Sequence, residues 1–241
     1  MGYGFKAINN GSVLQINESD QAYVLSQKVT VATAWDGLAL WGPTQVYSGG
    51  ATIHASDHAL FAFRSDTPNV PCSIHNLHAG GGVWRVVACS GGNRPASVTI
   101  YVLEPIGATA LAAERYGMRV FDAAGRVVFS TGKSLCRFQD WRNYDGMSGT
   151  AFVGSSLSYT KRPAVIPVQY SEVQRPLYLF GGMMMFFSTV AGLSFSGNAV
   201  NTGGEVTCRP LGAMQSPFPP LGQRRLVRAQ AMFAVADASK W

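Results

Sequence analysis

YGMRVFDAAGRVVF (residues 116–129) reads as one β-hairpin. An apolar, β-branched strand runs into Asp122-Ala-Ala-Gly125, whose Asp and Gly suit a tight turn, and an apolar strand returns. The opening of the chain repeats it. YGFKAINNGSVLQI (residues 3–16) matches Tyr-Gly-apolar-basic-apolar-apolar at each of the first six positions, then turns at Asn9 and Gly11. Two copies half a chain apart predict duplication. The expected fold is all-β: two sandwich-like domains related by duplication, at 1–107 and 116–241. ATALAAER (108–115) would be a short linker, and it holds the only plausible helix, too short to be stable alone.

The surrounding sequence agrees. VLQIN, QKVTVAT, ALFAFR, WRVVACS, SVTIYVLE, RVVFST, SLCRF, AVIPVQY and AQAMFAVA are short runs rich in β-branched and aromatic residues, separated by glycine- and asparagine-rich turns. Glycine fills 27 of 241 positions, above the usual ~7%. Charged residues make up 13%, about half the ordinary ~25%. A hydrophobic content of 47% excludes a disordered chain, and the scarcity of charge argues against coiled coils.

Net charge is +6, all of it from the second half. The basic residues are scattered, with one cluster at Arg224, Arg225 and Arg228. Nucleic acid is therefore not an expected partner. The N-terminus lacks the basic start and apolar run of a signal peptide, which predicts cytoplasmic synthesis without export.

Pro176–Gly204 carries no charge. Its centre approaches the length of a membrane span, but Gly181-Gly182 splits it into LYLF and MMMFF, the pattern of a hairpin. Alternate strand residues face opposite sides, so part of Met183, Met184, Met185, Phe186 and Phe187 must be covered from outside the core. These five are the candidate subunit interface of a homo-oligomer, with a trimer favoured.

Candidate chemistry is sparse. His54, His58, His75 and His78 cluster, and Cys72 and Cys89 flank the last pair. Cys and His ligate zinc or iron, yet this spacing matches no zinc knuckle, and an x2 spacing on a strand sends side chains to opposite faces. Loop histidines and buried free thiols are expected, with no metal, no cofactor and no catalytic residue. A Cys72–Cys89 cross-strand pairing stays open. HAGGGVW leads into a strand, so no helix N-terminus awaits a phosphate. Trp35, Asp36 and Trp41 are either core residues or a sugar-stacking platform.

The paired openings resemble hairpins in tail proteins of long-tailed bacteriophages. Minor tail and tail-tip proteins carry a segment of the form G-apolar-x-V-F-D-A-x-G-x-V-V-F, as residues 117–129 do. The resemblance covers residues 3–25 and 116–138, and it carries over no catalytic residue. It implies a virion structural protein of the tail tip or baseplate, assembled in the host cytoplasm and bound to itself and to other tail proteins. A host surface receptor, met through a lectin-like surface, is the alternative partner; a small metalloprotein or hydrolase is the third reading. The uncharged segment 176–204 has no counterpart in that pattern.

Overall fold

The computed structural model describes residues 4–9, 12–17, 22–39, 45–108, 118–130, 134–148, 151–178, 184–208 and 225–241. The described residues are almost entirely β, as expected. The first half forms β1 (Gly4–Asn9), β2 (Ser12–Asn17), β3 (Tyr23–Ala32), β4 (Ala34–Ala39), β5 (Gln45–His54), β6 (Leu60–Ser65), β7 (Cys72–Gly80), β8 (Val83–Ser90) and β9 (Ser97–Pro105). After a 3-10 turn at Ile106–Ala108 come β10 (Arg119–Phe121), β11 (Val127–Ser130), β12 (Phe138–Asp145), β13 (Met147–Ser148), β14 (Ala151–Phe152) and β15 (Ser156–Ser158). The last are β16 (Pro163–Gln169), β17 (Glu172–Tyr178), β18 (Met184–Ser196), β19 (Ala199–Cys208), β20 (Arg225–Arg228) and β21 (Gln230–Asp237). The expected linker helix falls largely outside the described residues.

Two antiparallel sheets face each other. One runs β12-β21-β16-β6-β9-β3, and the other β15-β19-β18-β7-β8-β5-β4, with β17 attached to β18 and β20 to β17. Both draw strands from both halves of the sequence. In the first sheet the halves meet where Val165 of β16 pairs with Phe63 of β6. In the second they meet at Leu193 of β18 and Cys72 of β7. The core between the sheets is likewise shared: Ile53, Phe61, Phe63, Ile74, Val86 and Ile100 pack with Val165, Leu193, Phe195, Val200, Phe233 and Val235. The expected division at 108–115 therefore does not separate two sheet systems, and duplication of whole domains is not confirmed. The reason is physical: β6 leaves one hydrogen-bonding edge that β16 takes, and the apolar face of β6 and β9 packs against residues of the second half.

Both repeated segments are antiparallel hairpins. In the first, β1 pairs with β2 from Gly4↔Asn17 to Asn9↔Ser12. In the second, β10 pairs with β11 through a bulge at Val120/Phe121. Asp122 builds the second turn. Its Oδ1 accepts the amides of Ala124 (2.9 Å) and Arg126 (2.8 Å), and its Oδ2 takes Arg126 Nε at 2.6 Å. Gly125 closes the turn at φ +76°, a conformation that costs glycine little. Val128 and Phe129 of the returning strand are buried with Met118, Val120 and Leu135.

The Arg126 amide holds the Asp122 carboxyl below its usual range, against a smaller opposing effect of burial and with help from the Arg126 guanidinium and the Ala124 amide. A depressed folded-state pKa means the contribution is present above the unfolded carboxylate value and is lost as pH falls through the folded one. The amide resonances of Ala124 and Arg126 should therefore shift together on acidification, below the pH at which free aspartate titrates. Asp122→Asn should abolish that titration; independent movement of the two amides would refute the capped turn.

SLCRF departs from its expected strand. Leu135 forms only an isolated bridge to Val24, while Leu25 N donates to Ser134 O and Cys136 N to Tyr23 O. The apolar 176–204 segment does form antiparallel strands, with β17 against β18 from Glu172↔Val190 to Tyr178↔Met184. Its Gly181-Gly182 turn and Met183 lie outside the described residues.

Candidate functional site

On β7 and β8, alternation sends Cys72, Ile74, Val86 and Ala88 into the core between the sheets. The residues between them, Ser73, His75, Val87 and Cys89, take the outer face. Cys72 lies opposite Ser90, and Ser73 opposite Cys89. Cys72 and Cys89 are thus one position out of register and on opposite faces, and all four cysteines are free thiols.

The outer face is covered by the β18–β19 ribbon. Near its turn, Leu193, Phe195 and Val200 belong to the main core. A bulge between Gly192 and Ser194 then re-aims the ribbon, so Val190, Val206 and Cys208 pack with Cys89 in a separate small core. Close approach demands small residues here. A Cβ on Gly192 would strike Val206, one on Gly204 would strike Pro71, and one on Gly91 would strike the Glu205 carbonyl.

This wrapping brings a Cys–His cluster together. His75, Cys89 and Cys208 place their ligand atoms within 4.8 Å of one another, with both thiols buried. His75 Nε2 lies 3.0 Å from Cys208 Sγ. Ser73 Oγ stands 3.2 Å from His75 Nε2 and 3.4 Å from Cys208 Sγ. The Tyr170 ring lies 5.6 Å from the imidazole, and its hydroxyl accepts the Ile74 amide at 3.1 Å.

Burial would push the Cys208 thiol up, but hydrogen bonds from Cys89, His75 and Ser73 and the His75 charge together carry it well below its ordinary value. For His75, burial acts downward and is outweighed by the charge of Cys208, their hydrogen bond and Glu172, so its pKa is raised. The hydrogen bond to Cys208, then burial, raises Cys89 well above the thiol range. Burial likewise lifts the Tyr170 hydroxyl. His75 also lines a cleft of about 270 Å³ with Asn76, Tyr170, Glu172, Ser188 and Arg228. Ser188 Oγ donates to Glu172 Oε1 at 2.8 Å between the paired strands β18 and β17.

The histidine cluster of the sequence does not converge. His75 and His78 are strand residues on β7 rather than loop residues. His78 pairs with Asp57 at 2.8 Å and lies 4.5 Å from the Trp84 ring, on the opposite face from His75. His54 ends β5 and His58 sits in the following turn. No local spacing in the sequence links Cys208 to His75, which stands 133 residues away.

Trp35 is 54% exposed on edge strand β4 and lies opposite Tyr47 of β5, so it is not a core residue. Asp36 is half-buried beside it, and Trp41 lies outside the described residues. Among the interface candidates, Met184 to Phe187 lie on β18. Arg225 and Arg228 of the basic cluster lie on β20. Comparison with protein-family models, curated proteins and solved structures finds no match to this chain.

Proposed function

We propose that this chain is a structural component of a bacteriophage tail tip or baseplate, acting through protein–protein contacts in tail assembly and host attachment. The hairpin over residues 118–130 carries the reading. Asp122 and Gly125, which the tail-protein pattern requires, are the residues that cap and close its turn. Supporting it are the all-β build and the uncharged β18. Phe138 (57% exposed) and Trp141 (58%) on edge strand β12 add an apolar surface suited to a neighbouring subunit. Among the described residues no helix is long and apolar enough to cross a membrane.

Antibody raised against the chain should label the tail tip of purified particles, and Phe186→Asp should yield folded protein that fails to enter them. A charge placed in a covered apolar contact is costly enough to block assembly. Particles free of the chain would overturn the reading. Normal incorporation of Phe186→Asp would remove β18 from the interface.

Exposed Trp35 beside Tyr47 favours a second reading, in which the same protein binds a surface glycan. An aromatic face stacks on the C–H face of a sugar. Trp35→Ala should then abolish glycan-array binding without changing assembly.

A further inference from the structure

We propose that His75, Cys89 and Cys208 form a Cys2His zinc site that clamps β19 onto the outer face of β7 and β8. The ligands come from three strands, and their side chains already share one small volume. Zinc takes thiolate sulfur at ~2.3 Å and imidazole nitrogen at ~2.0–2.1 Å in a tetrahedron. A tetrahedron of those bond lengths separates its corners by roughly 3.5–3.8 Å, so an ion is admitted by sub-ångström widening of the His75–Cys208 contact. That contact is 3.0 Å without one.

The chemistry of the donors matches. Thiolate and imidazole are borderline-soft ligands that select zinc over calcium or magnesium. On binding, the sulfurs of Cys89 and Cys208 coordinate as thiolates, their protons leave to solvent, and His75 coordinates as neutral imidazole through Nε2. Ser73 Oγ is placed to hydrogen-bond the Cys208 sulfur, a supporting contact of the kind that orients metal ligands. A water completes the tetrahedron as the fourth ligand; the neighbouring cleft is lined by His75 and by neither cysteine.

The remaining candidates are excluded by position. Cys72 faces the main core, and Cys136 packs in a different cluster with Tyr101 and Trp241. His78 is engaged with Asp57.

The role this assigns is to tie strands together, with three protein ligands leaving one coordination position to water. The cluster joins a strand of the second half to two strands of the first, beyond the β18–β19 bulge that re-aims the ribbon. A metal there would hold the ribbon closed, as a disulfide does in oxidising compartments.

The test uses the full chain purified under reducing conditions and titrated with Co²⁺ and Zn²⁺. The expected result is one ion per chain by elemental analysis. The cobalt form should show thiolate-to-cobalt charge transfer and the intense visible bands of tetrahedral geometry. Cys208→Ala, Cys89→Ala and His75→Ala should each weaken binding at least tenfold, while Cys72→Ala, Cys136→Ala and His78→Ala retain it. Because a core cysteine variant can misfold, the wild-type chain supplies a second readout. Zinc should protect Cys89 and Cys208 from alkylation under mild denaturation, leave Cys136 reactive, and raise the melting temperature. The proposal is overturned by wild-type protein that takes up no stoichiometric ion. It is equally overturned by binding that survives loss of Cys208, or by a Cys89–Cys208 disulfide that forms in place of metal binding under reducing conditions. None of these outcomes depends on the tail-assembly reading.

Discussion

Phe63→Ala is expected to destabilise the whole protein by about 3–5 kcal/mol, the range for removing a fully buried aromatic ring. Phe63 is 0% exposed. Its strand neighbours are Ile100 of β9 and Val165 of β16, and its ring meets Phe195 of the opposite sheet edge-on at 5.8 Å. One side chain therefore touches two strands of its own sheet and the facing sheet, and two of its three partners come from the second half of the sequence. The cavity left by alanine would be walled by backbone on the sheet side, which limits collapse. Phe195→Ala should cost a similar amount. The double variant should cost less than the sum, because both substitutions remove the same ring–ring contact. Urea unfolding followed by tryptophan fluorescence gives the number. A loss below about 1 kcal/mol would mean that the site repacks, or that Phe63 is not at the centre of the core.

The same geometry dictates how the chain unfolds. If each half held its own sandwich, two transitions would be possible, and Phe63→Ala would move only one. With Phe63 and Phe195 in a single cluster, melting the first half exposes the core of the second, so both lose structure in one cooperative step. Against marginal stabilities of ~5–15 kcal/mol, a loss of this size removes from about a fifth to all of the folding free energy.

Local strand identity was readable because it rests on alternation and β-branching. ALFAFR, WRVVACS, SVTIYVLE and AQAMFAVA fall on β6, β8, β9 and β21. The parity argument that separates His75 from His78 holds for the same reason. Strand order was not readable. The pairing of β16 with β6 depends on which free edge a distant strand finds, and periodicity is silent on that. Cys208 illustrates the harder case. Its place beside His75 depends on one extra residue in β19, between Asn201 and Gly204 and opposite Gly192–Ser194 of β18, that turns the ribbon over the outer face. A bulge of this kind has no period to detect; the only local trace is glycine at 192, 203 and 204, which reads equally well as a turn. Gly-rich β5 and the histidine-bearing β7 were missed for a related cause, since their side chains are small or polar and their pairing comes from neighbours on both sides.

Arg64 is where a buried charge joins the two halves, and Arg64→Met is expected to cost about 3 kcal/mol, within the range for losing charge-assisted hydrogen bonds to buried carbonyls. Arg64 is 9% exposed on β6. Its Nη1 donates to Pro163 O at 3.0 Å and its Nη2 to Gly197 O at 2.6 Å, while the guanidinium lies 5.2 Å from the Phe195 ring centroid. Burial, then repulsion from Arg162, lowers its pKa against the opposing pull of Tyr101 and Asp66. An arginine so placed still stays protonated throughout the range in which the protein is folded. Methionine matches much of the aliphatic stem and is apolar, so packing is largely kept and two carbonyls lose their donors. Lysine restores the charge but offers a compact ammonium where two carbonyls require a planar fork, so Arg64→Lys should recover only part of the loss. The damage should also be local in a specific way. Pro163 opens β16 and Gly197 forms the turn between β18 and β19, so amide protection should fall at those two places before it falls in β9 or β5. Uniform loss of protection, or Arg64→Lys equal to wild type, would mean that the residue acts as a buried stem and not as the fork that ties the β18–β19 turn to the first half of the chain.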